Sequence, residues 1–252
     1  MNIPDWIEAQ REGHGVLSVR MKNAPVNAFS AESLIEFGAF FRDMAQASHI
    51  NAVLLSSDLK VFSAGLNLKE AQLFTIEQQS EIVNSFHACY LDIYGFSKPL
   101  ISAVSGAAIA GGLFPVLCSD YRLGTSKALF GLAEVRVGVG LPAGLMEIVR
   151  ASVHPNDMRL LLQNGQPFSA QKAHEAGIVD EIVEEQLLYA KALEVAHSYA
   201  QLPPQAFATV KDQVRRPVID RLAAEVKASK TSAPKAWFSE ETTAAMAKML
   251  GA

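Results

Sequence analysis

Val61-Phe-Ser-Ala-Gly-Leu-Asn-Leu-Lys69 follows the apolar run Ala52-Val-Leu-Leu-Ser-Ser-Asp58, and Ser105-Gly-Ala-Ala-Ile-Ala-Gly-Gly112 follows a second such run, Pro99-Leu-Ile-Ser-Ala-Val104. Runs this rich in apolar residues suit strands buried on both faces. Each is followed by a loop of small residues that leads towards a helix. Small side chains let backbone N–H groups approach a ligand oxygen, and a helix N-terminus adds partial positive charge. One N–H from each loop, held together, would make an oxyanion hole. Read alone, the same glycines equally fit tight turns between packed elements.

Working outward, Gly15 to Lys22 alternates as a short strand, and the turn Asn23-Ala-Pro-Val-Asn-Ala-Phe-Ser30 leads into a helix with Leu34, Phe37, Phe41 and Met44 on one face. Thr75 and Gln78 form a capping box for a long helix running to Tyr94. Ala110 to Leu117 reads as a helix start, Tyr121-Arg-Leu-Gly-Thr125 as a strand, and Ile178-Val-Asp-Glu-Ile-Val183 as another. Strands alternating with helices predict an α/β core with largely parallel pairing. Beyond about residue 185 the pattern is helical only, broken at Pro203-Pro204, with Ser239 a candidate cap for the last helix. The expected division is a core over 1–195 and a helical region over 196–252 that mediates oligomerisation.

The chain of 252 residues is 50% hydrophobic and 19% charged, enough to bury a sizeable core and too apolar for a disordered chain. A net charge of −4 excludes the basic surplus of a nucleic-acid binder. Cys89 and Cys118 are too few for a disulfide framework, which predicts a reducing compartment. Six scattered histidines show no metal-binding spacing, so no metal is expected. Tyr94 and Lys98 have the spacing of short-chain reductases, and Gly138, Gly140 and Gly144 suggest a dinucleotide loop, but their order along the chain is reversed for those enzymes. The N-terminal stretch is polar and mixed in charge, unlike a secretory or mitochondrial leader, and the Met249-Leu-Gly-Ala252 end is not a peroxisomal address. Pro99 to Ser119 carries no charge, yet its prolines and glycines suit a strand, turn and helix start better than a membrane span. A cytoplasmic protein is expected.

Phe62-Ser-Ala-Gly-Leu-Asn-Leu-Lys-Glu70, the 105–112 loop, Cys118-Ser-Asp-Tyr-Arg122 and Phe168-Ser-Ala-Gln-Lys-Ala-His-Glu-Ala-Gly-Ile-Val-Asp-Glu-Ile-Val183, in that order, resemble the crotonase, or enoyl-CoA hydratase/isomerase, superfamily. The resemblance runs from about residue 15 to the C-terminus. It implies an α/β fold, a spiral of ββα units with a helical C-terminal region, assembled as a homotrimer or a dimer of trimers. It also implies an acyl-CoA thioester substrate, with coenzyme A as part of the substrate and no other cofactor. Carried over by position, the N–H groups of Leu66 and Gly111 hold the thioester oxygen. Hydratases of the family use two glutamates; here the first position is Phe114 and the second is Glu134.

One carboxylate suits a proton shuttle, and this pattern is closest to the Δ3,Δ2-enoyl-CoA isomerases, which implies a 3-enoyl-CoA to 2-trans-enoyl-CoA isomerase of fatty-acid oxidation. A hydratase, thioesterase or decarboxylase of the same superfamily, or a non-catalytic acyl-CoA-binding subunit, stays open. The resemblance puts Ala24, Val26, Ala64, Leu66, Lys69 and Phe114 against the substrate, with Pro25 in the same turn and Lys22 near the phosphates. Phe238 and Lys248 then belong to a tail covering the coenzyme A of a neighbouring subunit. Asn67 departs from the aspartate many members carry, and Pro115 beside Phe114 is tolerated in a first helical turn.

Overall fold

The two apolar-rich runs lie at the centre of the sheet in the computed structural model, which describes residues 1–250. The strands are β1 (Ile7–Arg11), β2 (Val16–Met21), β3 (Ala28–Phe29), β4 (Ala52–Ser57), β5 (Gly65–Leu66), β6 (Leu100–Val104), β7 (Ala107–Ile109), β8 (Tyr121–Thr125), β9 (Leu129–Gly131), β10 (Phe168–Ser169) and β11 (Glu181–Val183). The helices are α1 (Ala31–Gln46), α2 (Leu68–Ala71), α3 (Ile76–Tyr94), α4 (Phe114–Leu117), α5 (Ala143–Ser152), α6 (Pro155–Asn164), α7 (Ala170–Glu175), α8 (Leu188–Ala200), α9 (Pro204–Ser229) and α10 (Glu240–Leu250). Six strands form the main sheet in the order β1-β2-β4-β6-β8-β11, all parallel except β1, which pairs antiparallel with β2. A small sheet β10-β9-β7 and the pair β3-β5 lie apart from it.

β4 and β6 are neighbours, with Val53 opposite Leu100. Because they run parallel, the loops that follow them leave the same edge of the sheet, where α/β folds place their ligand crevices. α1 and α3 cover one face, each opened by a capping box, Ser30 with Ser33 and Thr75 with Gln78. Phe37 and Phe41 meet edge to face at 5.1 Å in the core between them. α8 covers the other face through Leu188, Ala192 and Ala196 against Val16, Leu54 and Ile101.

Several expectations are corrected. The 195/196 division falls inside α8, one continuous helix on the sheet, and the next helix, α9, opens at Pro204 after the Pro203-Pro204 break. Gly251 and Ala252, part of the 196–252 region and of the chain end read above, lie outside the described residues. The strand expected over 178–183 is only Glu181–Val183, and the N-terminal stretch read as polar contains β1, an edge strand whose Glu8, Gln10 and Arg11 face solvent. Pro99 to Ser119 divides into β6, β7, a 3₁₀ turn at Ala110–Leu113 and α4. Among the described residues no helix is long and apolar enough to cross a membrane.

α9 is held to the core by buried charge. Asp120 accepts from Lys211 Nζ at 2.6 Å, from Arg215 Nη2 at 2.8 Å and from the Leu100 N–H at 2.8 Å. Arg215 also donates to the carbonyls of Tyr94 and Cys118, and Lys211 to that of Lys98. Lys98 itself donates to the Met44 and Ala47 carbonyls, capping α1, which accounts for it without a reductase role.

Candidate active site

The two glycine loops touch. Asn27, buried with its backbone in the left-handed region, donates through Nδ2 to Ser57 Oγ and the Phe62 carbonyl, tying the first turn to the loop after β4. Ser63 Oγ donates to the Asn27 carbonyl at 2.7 Å and accepts from the Gly65 N–H at 3.1 Å. Gly65 has φ +76°, and a Cβ there would lie 2.7 Å from the Gly111 nitrogen and 2.8 Å from the Ile109 carbonyl. Only glycine lets the backbones meet this closely without strain. From the other side, Tyr90 Oη donates to the Gly111 carbonyl at 2.7 Å.

Gly111 is the second residue of its 3₁₀ turn, so its N–H has no partner within that turn. Ala64, Leu66, Gly111 and Glu134 line one cavity of about 90 Å³, whose remaining wall is apolar: Phe86, Val137, Val139, Leu141, Leu145, Trp237 and Met246 among others. Glu134 opens the 3₁₀ turn Glu134–Val137, which ends at Gly138 in the left-handed conformation. It is the one charged residue in the lining among those described, is 9% exposed, and its Oε2 has no hydrogen-bond partner. Burial pushes its carboxyl up to about 7, while a hydrogen bond from its own backbone pulls the other way. A carboxyl poised near neutrality in an apolar chamber can accept and return a proton at physiological pH.

The other expected contacts separate. Phe114 is 0% exposed and packs on Tyr90 at 5.2 Å between ring centroids; it does not line the cavity, because the short helix α4 aims it into the core. Ala24 and Lys69 are exposed, and Val26 is half-buried; none lines the cavity, although the Val26 carbonyl accepts from the Ala64 N–H at 3.0 Å. Asn67 caps α2, accepting from the Lys69 N–H and donating to Glu70.

Phe238 belongs to a tail that folds over this chain's own cavity, packing with Val137, Val139 and Met246, rather than reaching from another subunit as expected. Sequence reasoning missed Asn27, Tyr90, Trp237 and Met246, whose roles depend on long-range contacts; for the last two, a Trp-Phe pair and a methionine at helical spacing were the available hints. Among the described residues no cluster of three or more His, Cys, Asp or Glu could hold a metal.

The junction carries a prediction. Gly65→Ala forces a Cβ into the Gly111 backbone and demands a left-handed alanine, which costs about 1–2 kcal/mol before any clash is counted. The expected result is a lower melting temperature together with a turnover loss of about 100-fold or more, the scale of losing one oxyanion donor. Thermal melts and steady-state rates on the same protein check both.

Residues 11–248 match the family described as Enoyl-CoA hydratase/isomerase. Mouse mitochondrial enoyl-CoA delta isomerase 1 is 30% identical over 211 residues, covering 82% of this chain and 73% of that protein. A probable enoyl-CoA hydratase of Mycobacterium tuberculosis is 25% identical over 217 residues, covering 84% and 82%. The crystal structure of human mitochondrial delta3-delta2-enoyl-CoA isomerase superposes with a TM-score of 0.89 at 25% identity, covering 98% of this chain and 97% of that one. The fold is thus the expected crotonase spiral with a helical C-terminal region. The chain belongs to the enoyl-CoA hydratase/isomerase family, whose members act on acyl-CoA thioesters.

Proposed function

We propose that the protein is a Δ3,Δ2-enoyl-CoA isomerase. The observation that carries this reading is the lone carboxylate of Glu134, buried in an apolar cavity with a free oxygen and no second acid in the lining among the described residues. Water addition needs one group to activate water and another to protonate carbon, whereas moving a double bond needs one group that gives back what it takes.

In the proposed reaction the thioester oxygen accepts from the N–H groups of Leu66 and Gly111. Glu134 takes a proton from C2 of a 3-enoyl thioester, and the C2–H electron pair delocalises into a dienolate whose negative charge rests on that oxygen. The same carboxyl then protonates C4, leaving a C2–C3 double bond conjugated with the thioester. Donors fixed where charge develops are worth about 3 kcal/mol each. The apolar lining from Phe86, Leu141 and Leu145 keeps water away from the dienolate and keeps the carboxyl basic enough to act.

Incubation with trans-3-hexenoyl-CoA, followed by ultraviolet absorbance of the conjugated thioester, is the direct test. A steady rise is expected, with little loss of absorbance when the protein is given 2-hexenoyl-CoA in water. Rapid hydration of the 2-enoyl thioester would replace the isomerase reading with a hydratase. Binding without turnover of either would leave an acyl-CoA-binding subunit.

A further inference from the structure

Much of the cavity wall belongs to elements embedded in the core, such as Phe86 on α3 and Leu145 on α5. Trp237, Met246 and Met249 arrive differently, on a tail made of a stretch, 230–239, without helix or strand, that contains Trp237, followed by α10, which carries the two methionines. That tail is latched at three points. Gln79 Oε1 accepts from the backbone N–H groups of both Trp237 and Phe238, at 2.9 Å each. The Trp237 indole N–H donates to the Gly140 carbonyl at 2.9 Å, and Thr242 Oγ1 donates to the Gly138 carbonyl at 2.7 Å. Gly138 and Gly140 lie on the turn that begins at Glu134, so the tail is pinned to the segment carrying the proposed base. The approach is close: a Cβ on Gly138 would stand 3.0 Å from the Thr242 Cα. Met246, 1% exposed, is packed with Ala71, Val137 and Val139 and cannot swing aside while the latch holds.

We infer that this tail wall sets the acyl length the site accepts, making the protein selective for short-chain acyl-CoA thioesters, with Met246 the limiting side chain and Thr242 a positioning residue. The inference rests on the acyl group of the proposed substrate occupying this cavity. An apolar protein cavity of roughly 150 Å³ takes six carbons as benzene. The space here is about 90 Å³. Acyl groups of about four carbons are therefore the fitting class, and longer chains must displace the tail.

The test measures binding of butanoyl-, hexanoyl-, octanoyl- and dodecanoyl-CoA to the full chain by calorimetry, with turnover of 3-hexenoyl- and 3-dodecenoyl-CoA alongside. Were the apolar site to continue, each added methylene would tighten binding about fourfold. The expected affinities are level from butanoyl-CoA onward, with kcat/KM for the dodecenoyl substrate at least tenfold below that for hexenoyl. Met246→Ala moves the levelling point outward by two carbons or more. Thr242→Val leaves the lining unchanged but frees the tail, and weakens discrimination against dodecanoyl-CoA. Should Met246→Ala fail to fold, Met249→Ala at the exposed edge of the tail serves in its place. Affinity climbing unbroken to dodecanoyl-CoA in the wild type, or one levelling point in every protein, overturns the inference. Binding of saturated thioesters needs no turnover, so a levelling point without isomerisation overturns only the isomerase reading.

Discussion

Glu134→Gln is expected to lower isomerisation by about 10²–10⁴-fold, the range for removing a positioned acid–base group, while binding of hexanoyl-CoA stays within a few-fold of wild type. Glutamine keeps the shape and the burial but cannot take the C2 proton. Stopped assays with 3-hexenoyl-CoA across pH separate this from misfolding. In the wild type the carboxyl must be ionised to act as base, and burial raises its pKa to about 7. The kcat/KM profile therefore rises with pH through a midpoint near 7 and falls away below it.

The same burial has a stability signature of opposite sense. The folded protein holds the Glu134 proton more tightly than the unfolded chain, whose value is 4.5, so stability is fully present below that pH and is lost as pH rises through about 7. At 1.36 kcal/mol per pKa unit the loss is about 3 kcal/mol. Glu134→Gln carries no such loss and should melt above wild type at pH 8, with little difference at pH 4. A variant that keeps more than a tenth of wild-type turnover would remove Glu134 as the base.

Asp120→Ala is expected to be the most destabilising of these changes. It leaves Lys211 and Arg215, 6% and 9% exposed at the side chain, without their counter-charge, and leaves the Leu100 N–H without its acceptor. Breaking a buried ion pair from one side costs about 3–5 kcal/mol, which for a chain of this size lowers the melting temperature by roughly 10 °C.

Burial already holds Lys211 down to about 8 despite the pull of Asp120 in the other direction. Removing the carboxylate lowers the Lys211 pKa further, so the variant recovers part of its stability as pH rises towards 9, while Arg215 stays charged and unpaired. Asp120→Ala melts between pH 6 and 9 check the slope. A variant that melts within 2 °C of wild type would mean that α9 is held by its apolar contacts alone.

Much of the framework is legible in the chain because its signals are local. The runs 52–57 and 100–104 are mostly apolar with only serines between, as suits strands covered on both faces, and the Ser30 and Thr75 caps mark helix starts within one residue. Short elements such as β3, β5, β9 and β10, of two or three residues each, were not legible, since so few residues carry no periodicity and their pairing is imposed by the surrounding chain. The boundary placed at 195/196 shows the same limit from another side. Composition alone cannot tell a helix that packs on the sheet from one that leaves it, whereas the Leu188, Ala192 and Ala196 stripe does so once the sheet is present.

For the site, the sequence by itself determined which backbone positions are free of side chains, Gly65 and Gly111 among them, while only the family resemblance set Phe114 and Glu134 at the two positions where hydratases carry glutamates. Only the tertiary structure decided that Gly111 and Glu134 line one chamber, with Gly65 packed behind it against the Gly111 backbone. The parallel pairing of β4 with β6 sends both loops off one edge, and the apolar wall then desolvates Glu134. It alone buried Phe114 in the core beside Tyr90 and brought Trp237 and Met246 back onto the chain's own cavity. The physical reason is that backbone freedom and hydrophobic period are properties of neighbouring residues. Burial, and the proton affinity that follows from it, depends on what the whole chain packs around a group.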